Sequence, residues 1–304
     1  MSQSTDHPIP DKLNARIALI TSLLHMVLLW LGTQTWGTGW FVLIALLFVL
    51  NLIPIYSLIH EAEHQLLHTE KGVNYRVGVW LCCLFIAPFS FVKRCHLNHH
   101  AHNRSDYEMW DLYYEHQNRW LKHGYLYLFM VGMEWVLLVI GTALFCLLPK
   151  LVFSRLFSWN KEISGIIQGT DSKNSMRKIR LESWLVLIMQ TALFLALGLH
   201  PMAYLIMYLA HGLAWSSQNY VNHAFSPRDI VNGAHNHRLS PFFKYIYLNF
   251  NVHKVHHQNP TIPWLHLPRF VPGNESRISY WKTYLRLWKG PELTHEPSPI
   301  VHEK

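Results

Sequence analysis

Apolar runs close to the length of a bilayer crossing alternate along this chain with short segments crowded with histidine, and any fold must reconcile the two. The crowded segments are His60-Glu61-Ala62-Glu63-His64, His96-Leu97-Asn98-His99-His100 and His253-Lys254-Val255-His256-His257, each beside an apolar run. Half of the 304 residues are apolar and only 14% are charged, well short of the roughly one quarter usual in soluble domains. A helix needs roughly 20 apolar residues to cross about 30 Å of hydrocarbon, and several runs reach that length. The chain therefore reads as an all-α integral membrane protein.

Residues 17–36 and 40–59 predict a transmembrane hairpin turning at Gly37-Thr38-Gly39, with Pro54 near the end of its second arm. Asp11, Lys12 and Arg16 precede the first run and no small-residue cleavage site follows, so it reads as a retained span rather than a signal peptide. The positive-inside bias then places both ends of the hairpin in the cytoplasm. Residues 77–92, interrupted by Pro88, separate the first two histidine clusters. If one metal site uses both clusters, this stretch cannot cross once, and a shallow interfacial or re-entrant segment is the cheaper reading. The same reasoning predicts that residues 124–148 dip in and return near Gly132 or Gly141. Glu134 within that stretch would be costly against lipid.

A basic segment with Lys150, Arg155, Lys161, Lys173, Arg177, Lys178 and Arg180 belongs on the inner side. Residues 181–199 and 202–217 predict a second hairpin turning at His200-Pro201. The expectation is one membrane domain: an N-terminal segment 1–16, a first hairpin within 17–59, an interfacial region 60–180 and a second hairpin 181–217. A cytoplasmic cap follows at 218–290, with a poorly ordered tail at 291–304. That gives about four transmembrane helices plus interfacial or re-entrant helices, with the histidines in the cap. Cys82, Cys83, Cys95 and Cys146 lack the paired spacing of a secreted disulfide framework and read as reduced thiols.

Residues three and four apart share a helix face, so His96, His99 and His100 converge, as do His253, His256 and His257, and His60 with His64. A helix continuing beyond the second span would carry His68 on the same stripe. A single such histidine is most simply a polar group bonded to a carbonyl or water. Eight near one surface would leave many ring nitrogens unpaired unless a cation organises them. A catalytic zinc site uses about three protein ligands and a closed one four, so eight or nine imidazoles imply at least two ions. Imidazole suits zinc, copper, nickel and iron alike.

Taken in order, the three clusters resemble the histidine boxes of the membrane fatty acid desaturase superfamily. Gln218-Asn219-Tyr220-Val221-Asn222-His223 is similar to the NxxxH element before the last box. Residues 257–268, His-Gln-Asn-Pro-Thr-Ile-Pro-Trp-Leu-His-Leu-Pro, are similar to the Pro- and Trp-containing sequence after it. His99-His100-Ala101-His102-Asn103, followed by Asp106, Glu108 and Asp111, resembles the segment behind the second box. The resemblance covers roughly residues 40–270. It implies two iron ions that activate dioxygen for attack on an unactivated C–H bond of a lipid. The implied ligands are His60, His64, His96, His99, His100, His223, His253, His256 and His257, with Asn219 acting through a water. His68, His102, His235 and His237 stand beside the boxes as further candidate ligands. Glu61 and Glu63 read either as the solvated side of a helix or as carboxylates behind the ligands, and the resemblance places Asp106, Glu108 and Asp111 in the latter role.

The ending NVHKVHHQNPTIPW is closest to the acyl desaturase branch, so a fatty acyl desaturase is the leading expectation. Carotenoid or lipid hydroxylases, ketolases and fatty acid decarboxylases of the same superfamily are the alternatives. HEAEH also satisfies HExxH, with Glu61 as base, so a membrane zinc hydrolase is a further reading, as is a histidine-rich metal transporter. The chain carries no dinucleotide fingerprint, CxxC pair or HPGG haem segment, which implies a separate ferredoxin, rubredoxin or cytochrome as electron donor. The net charge of +8 suits an acidic redox partner or, more simply, anionic membrane lipid, and nucleic acid has no support beyond that charge.

Overall fold

The longest apolar runs form the first two helices, α1 (Asp11–Gln34) and α2 (Trp40–Glu63), joined by a turn in which Gly37 takes φ +83°. The computed structural model describes residues 7–149 and 173–301, so the part of the expected basic segment holding Lys150, Arg155 and Lys161 lies outside the described residues. Leu19, Ile20, Leu23 and Leu46 are exposed on α1 and α2, the pattern of helices whose outer surface meets lipid. Polar side chains on these helices turn inward instead. Asn51 Nδ2 donates to Thr21 O at 3.0 Å, Asn14 Nδ2 to Leu67 O at 2.9 Å, and His25 Nε2 meets Tyr208 Oη at 3.0 Å. Buried polar bonds of this kind hold apolar bundles together where lipid and side chains are equally greasy.

Helices α3 (Lys71–Phe85) and α4 (Phe89–His102) form an elbow bent by 96°. Pro88 lacks an N–H and disfavours helical backbone at the residue before it, while Ile86 closes α3 in the left-handed region at φ +64°. The carbonyls stranded at the tip are taken up by side chains from elsewhere in the bundle. Gln190 Nε2 donates to Cys83 O at 2.7 Å, Tyr208 Oη to Leu84 O at 3.1 Å, Trp135 Nε1 to Phe85 O at 3.2 Å and Thr142 Oγ1 to Ile86 O at 3.3 Å. Broken backbone at membrane depth is tolerated only when buried in protein and satisfied in this way. Glu182 fixes the return arm, accepting from both the N–H and the hydroxyl of Ser90 at 2.6 Å.

The next apolar run comprises α5 (Arg119–Leu128), a π-helical turn over Phe129–Met133 and α6 (Glu134–Leu147). It kinks at Gly132, where φ is +106° and an added Cβ would lie 3.4 Å from the backbone of Leu213. Helices α7 (Lys173–Ala196) and α8 (Pro201–Asn219) make the second hairpin. Both ends of α6 are tied to its base: Glu134 accepts from Asn219 at 2.8 Å, and Cys146 O accepts from Arg180 Nε at 3.3 Å. Gln190 and Tyr208 meet across the hairpin at 3.1 Å. At about 1.5 Å per residue, Arg180 and Asn219 sit roughly 15 Å below that contact on their respective helices. The ends of α6 therefore lie at one level, although the α5–α6 run is apolar and long enough to cross a bilayer.

Four helices meet the length and apolarity of a crossing: α1, α2, the α5–α6 run and α7 from Ser175. The expected partner in the second hairpin, α8, falls short because Tyr204, Tyr208, His211, Ser216, Ser217 and Gln218 dilute its apolar face. Beyond it lie three short helices, α9 (Pro241–Ile246), α10 (His253–Gln258) and α11 (Tyr280–Leu287). Of the tail expected to be poorly ordered, residues 291–301 instead run along the protein. Strand β2 (Glu292–Leu293) pairs in parallel with β1 (Leu112–Tyr113), and Glu296 O accepts from Arg228 Nη1 at 3.0 Å. Backbone pairing and a buried arginine supply the ordering that its Pro- and Glu-rich composition does not suggest.

Arg104 joins the loop after α4 to the end of α8. Fully buried, it donates to Asp111 Oδ1 and Tyr220 Oη at 2.6 Å each and to Ser226 O at 2.9 Å. Removing one partner of a buried ion pair strands the other, at a cost of about 3–5 kcal/mol. Asp111→Ala is expected to lower the stability of the detergent-solubilised protein by that amount in a denaturation series. An unchanged midpoint would show that Arg104 is satisfied without the carboxylate.

Candidate metal centre

The first histidine cluster sits where α2 ends. His60 lies in its last turn and His64 is the residue after Glu63, beyond which Gln65 takes φ +62° and turns the chain away. This early stop corrects the expectation of a continuing stripe. His68 leaves the helix line, accepts the Glu70 N–H at 2.9 Å through Nδ1 and lies 3.9 Å from Asp11.

The second cluster rides on α4, the return arm of the elbow, and the third on α10, with His223 just past the end of α8. The imidazoles of these elements meet in two adjacent groups. One comprises His60, His64, His96, His100 and His256, the other His99, His223, His253 and His257, and within each group the nearest ring nitrogens all lie within 4.8 Å of one another. Each HxxHH segment thus serves both groups: α4 sends His96 and His100 one way and His99 the other, while α10 sends His256 one way and His253 and His257 the other. The stacked rings of His100 and His257, 4.2 Å apart, lie where the groups adjoin. All nine residues singled out as ligands in the sequence are in these groups.

Nε2 atoms of the first group form a chain of contacts, His64–His96 at 2.6 Å, His96–His100 at 3.0 Å and His100–His256 at 3.1 Å. A neutral imidazole nitrogen has either one proton or one lone pair, so neither His96 nor His100 can satisfy two neighbours through a single nitrogen. His60 Nε2 and His257 Nε2 are buried with no protein partner among the described residues. Lone pairs crowded this closely fit cations better than each other, and an all-imidazole donor set suits iron, zinc, copper or nickel.

Electrostatics keeps those lone pairs available. Burial first, and neighbouring imidazoles second, hold His223, His253, His256 and His257 well below the usual histidine range, so they are neutral at pH 7 as metal ligation requires.

Outer contacts orient several rings. His223 Nδ1 donates to Gly233 O at 2.9 Å, and Asn103 Nδ2 donates to the same carbonyl at 3.1 Å. His99 Nδ1 donates to the Glu108 carboxylate. Glu61 and Glu63 are 2% and 1% exposed, which rules out a solvated helix face. Their carboxylates lie 3.7 Å from His60 Nδ1 and His96 Nδ1 respectively, and Glu61 also accepts the Trp264 N–H at 3.1 Å. Asp106 and Asp111 touch none of the clustered rings. Asp106 binds Arg228 at 2.6 Å and Asp111 binds Arg104, so both tie the cap together.

The other candidate ligands are also placed elsewhere. His102 Nδ1 bonds Asn98 O at 3.0 Å, His235 Nε2 bonds Ala224 O at 3.0 Å, and His237 is held between Asn222 and Thr283 at 3.1 and 3.0 Å. Asn219 points its amide N–H at Glu134 and lies 3.5 Å from the Tyr56 hydroxyl. Beside the first group, a cavity opens between α2 and α8, lined by Leu52, Ile53, Tyr56, Trp215 and Phe250 among others. The Phe250 ring stands at its inner end against His60 at 4.7 Å and His253 at 4.6 Å. Tyr56, Phe250 and Trp264 carry no chemistry-bearing motif of their own, and reading the sequence passed over them. Only the Pro- and Trp-containing stretch around Trp264 offered a signal.

Two outcomes follow. Glu108→Ala frees His99 to rotate, and loss of such an outer partner weakens metal binding by about 10–100-fold; competition with a chelator should register it, and unchanged affinity would remove Glu108 from the site. Second, an unfolded histidine titrates near 6.5, whereas burial lowers His223, His253, His256 and His257 and brings His237 to about 3. Their folded-state contribution is present above about pH 6.5 and is lost as pH falls below it. The stability advantage of metal-free protein over a His237→Gln variant should therefore shrink as pH falls from about 6.5 to 5, which paired urea midpoints will show.

No curated protein sequence matches the chain. A model of the family described as "Fatty acid desaturase" matches residues 34–288, a stretch that contains α2, the elbow, both histidine groups and the cavity. The chain belongs to the fatty acid desaturase family, membrane oxidoreductases that act on lipid or acyl chains.

Proposed function

We propose that the protein is a di-iron, dioxygen-dependent fatty acyl desaturase, with the five-histidine group holding one iron and the four-histidine group the other. The observation that carries this reading is the division of nine imidazoles, five of them buried, into two adjacent groups, a ligand number that suits two ions and exceeds what one needs. Iron bound there would supply the activation of dioxygen needed to break an unactivated C–H bond.

The chain's own residues do the rest. His223, His253, His256 and His257, kept neutral by burial, present lone pairs without having to lose protons first. Phe250, packed on His60 and His253, separates the centre from the cavity by the thickness of one ring. An acyl chain lying between Leu52, Ile53 and Phe250 would be kept dry and would present a methylene to the centre. Asn219, whose amide donates to Glu134, would act only through a water. The zinc hydrolase reading needs Glu61 as a free base, but its carboxylate is buried and engaged by the Trp264 N–H. Lys12 and Arg16 before α1 orient the histidine side toward the cytoplasm, where a separate ferredoxin, rubredoxin or cytochrome would deliver electrons.

Purified protein should contain about two irons per chain, as the ligand count requires, and His257→Ala should lose both iron and turnover. Incubation with acyl lipid, reductant and an electron-transfer protein should yield a product lighter by two hydrogens in mass spectrometry. A product heavier by one oxygen would move the enzyme to the hydroxylase branch, and one zinc per chain with ester or peptide cleavage would overturn the oxidative reading.

A further inference from the structure

Helices α5, α9 and α11 pack on one apolar cluster through Leu126, Phe243, Tyr280 and Leu287, and all three keep large apolar side chains on the side turned away from it. On α11 the positions sort into three sectors. Tyr280, Thr283 and Leu287 are buried against the protein, while Trp281, Leu285 and Trp288 lie exposed along one edge at i, i+4 and i+7. Lys282, Arg286 and Lys289 repeat that spacing along the next edge, also exposed. Arg286 is tied to Glu292 at 2.8 and 2.6 Å, whereas Lys282 and Lys289 have no ion pair among the described residues.

The neighbouring helices extend the apolar edge. Phe243 of α9 meets Trp281 at 5.6 Å, and Phe242 and Tyr245 on its outer side are 61% and 77% exposed. Tyr127 of α5 donates to Trp288 O at 3.2 Å and stacks on its ring. Leu121, Tyr125 and Leu128 make an exposed stripe on that helix, again at i, i+4 and i+7. A surface bathed only in water seldom carries so extended an apolar patch. What covers it is indicated by where it leads. The stripe on α5 continues as exposed Val131, Leu137 and Ile140 in the same run, which is apolar and long enough to cross a bilayer. Tryptophan and tyrosine beside lysine suit the level of the lipid headgroups, where a ring sits half in hydrocarbon and an ammonium meets phosphate.

We infer that the outer faces of α5, α9 and α11 lie in the headgroup layer of the bilayer, with Lys282 and Lys289 contacting anionic phospholipid. The region after α8, expected from the sequence to stand in the cytoplasm, thus rests on the membrane. Tyr247 at the end of α9 and Tyr280 of α11 also wall the cavity, so the same contact brings that wall to the membrane surface.

The test measures depth. Leu285→Cys and, separately, Tyr245→Cys, both at exposed positions, are labelled with the fluorophore NBD in the full-length protein. Each is reconstituted in vesicles of phosphatidylcholine with or without phosphatidylglycerol, and unsubstituted protein gives the background from partly buried Cys95. An interfacial face sits about 5–10 Å into the boundary between headgroups and acyl chains, so lipid spin-labelled near its headgroup should quench both dyes more strongly than lipid labelled near the chain end. Reversing both lysines, Lys282→Glu with Lys289→Glu, should weaken that quenching in the anionic vesicles and leave it unchanged in phosphatidylcholine alone. Stronger quenching from the chain end, or none from either lipid, overturns the inference, and a dimeric mass in detergent alongside absent quenching assigns the face to a second copy of the chain. Equal effects of the lysine reversal in both kinds of vesicle overturn the anionic contact.

Discussion

Nine imidazoles can meet only if every apolar segment between them starts and ends on the same side of the hydrophobic layer. That constraint shapes the fold more than any single contact. Between the first and second clusters it is met by the α3–α4 elbow, which turns back before crossing. Between the second and third it is met twice, by α6, whose ends share one level at the base of the α7–α8 hairpin, and by the hairpin itself. Each device has a local chemical cause. Pro88 and left-handed Ile86 make the elbow, and Gly132 makes the kink before α6. Each also leaves broken backbone, which the bundle must satisfy from side chains. That is why Trp135, Thr142, Gln190 and Tyr208, on three different helices, converge on four consecutive carbonyls of the elbow.

The centre is built on the opposite principle. At the tip of the elbow four carbonyls are matched by side-chain donors, whereas in the histidine groups acceptors face acceptors. Such an arrangement destabilises the metal-free fold, and it is offset by cation binding and by rigid outer contacts. Gly233 O illustrates the second element: it accepts from both His223 and Asn103, so the loop that orients a ring is itself pinned to the end of α4. Arg104, the next residue, fastens that same corner to Asp111, Tyr220 and Ser226. The corner therefore couples the second histidine segment to His223 through groups that never touch the centre.

Much of this was legible in the sequence because it depends on spacing and apolarity. The two HxxHH segments fall on one helix face each by the i, i+3, i+4 rule, and Pro88 within residues 77–92 betrayed the elbow. What escaped reading depends on contacts far apart in the chain. No periodicity shows that α2 stops at Glu63, and so His68 read as part of a stripe it does not join. Nothing local to Asp106 or Asp111 says that distant arginines will claim them, and nothing in residues 291–301 says that β1 and Arg228 will hold that segment. The partition of each HxxHH segment between two groups was equally hidden, because helical spacing brings three rings to one side without saying how many ions they face.

The same distinction bears on the cavity. Along α8, Tyr208, His211, Trp215 and Gln218 lower the helix below the apolarity of a crossing, and a reading by composition alone would class them as noise in a span. Placed in the bundle, they have separate tasks. Tyr208 serves the elbow, Gln218 serves Tyr247 and the cap, and Asn219 serves Glu134 at the level of the centre. Trp215 stands edge-on against Tyr56, and His211 keeps a buried ring nitrogen that no described residue answers. A membrane helix that gives up apolarity at so many positions does so for internal partners, and where the partner is not in the chain, the remaining place to look for it is the cavity that the helix walls.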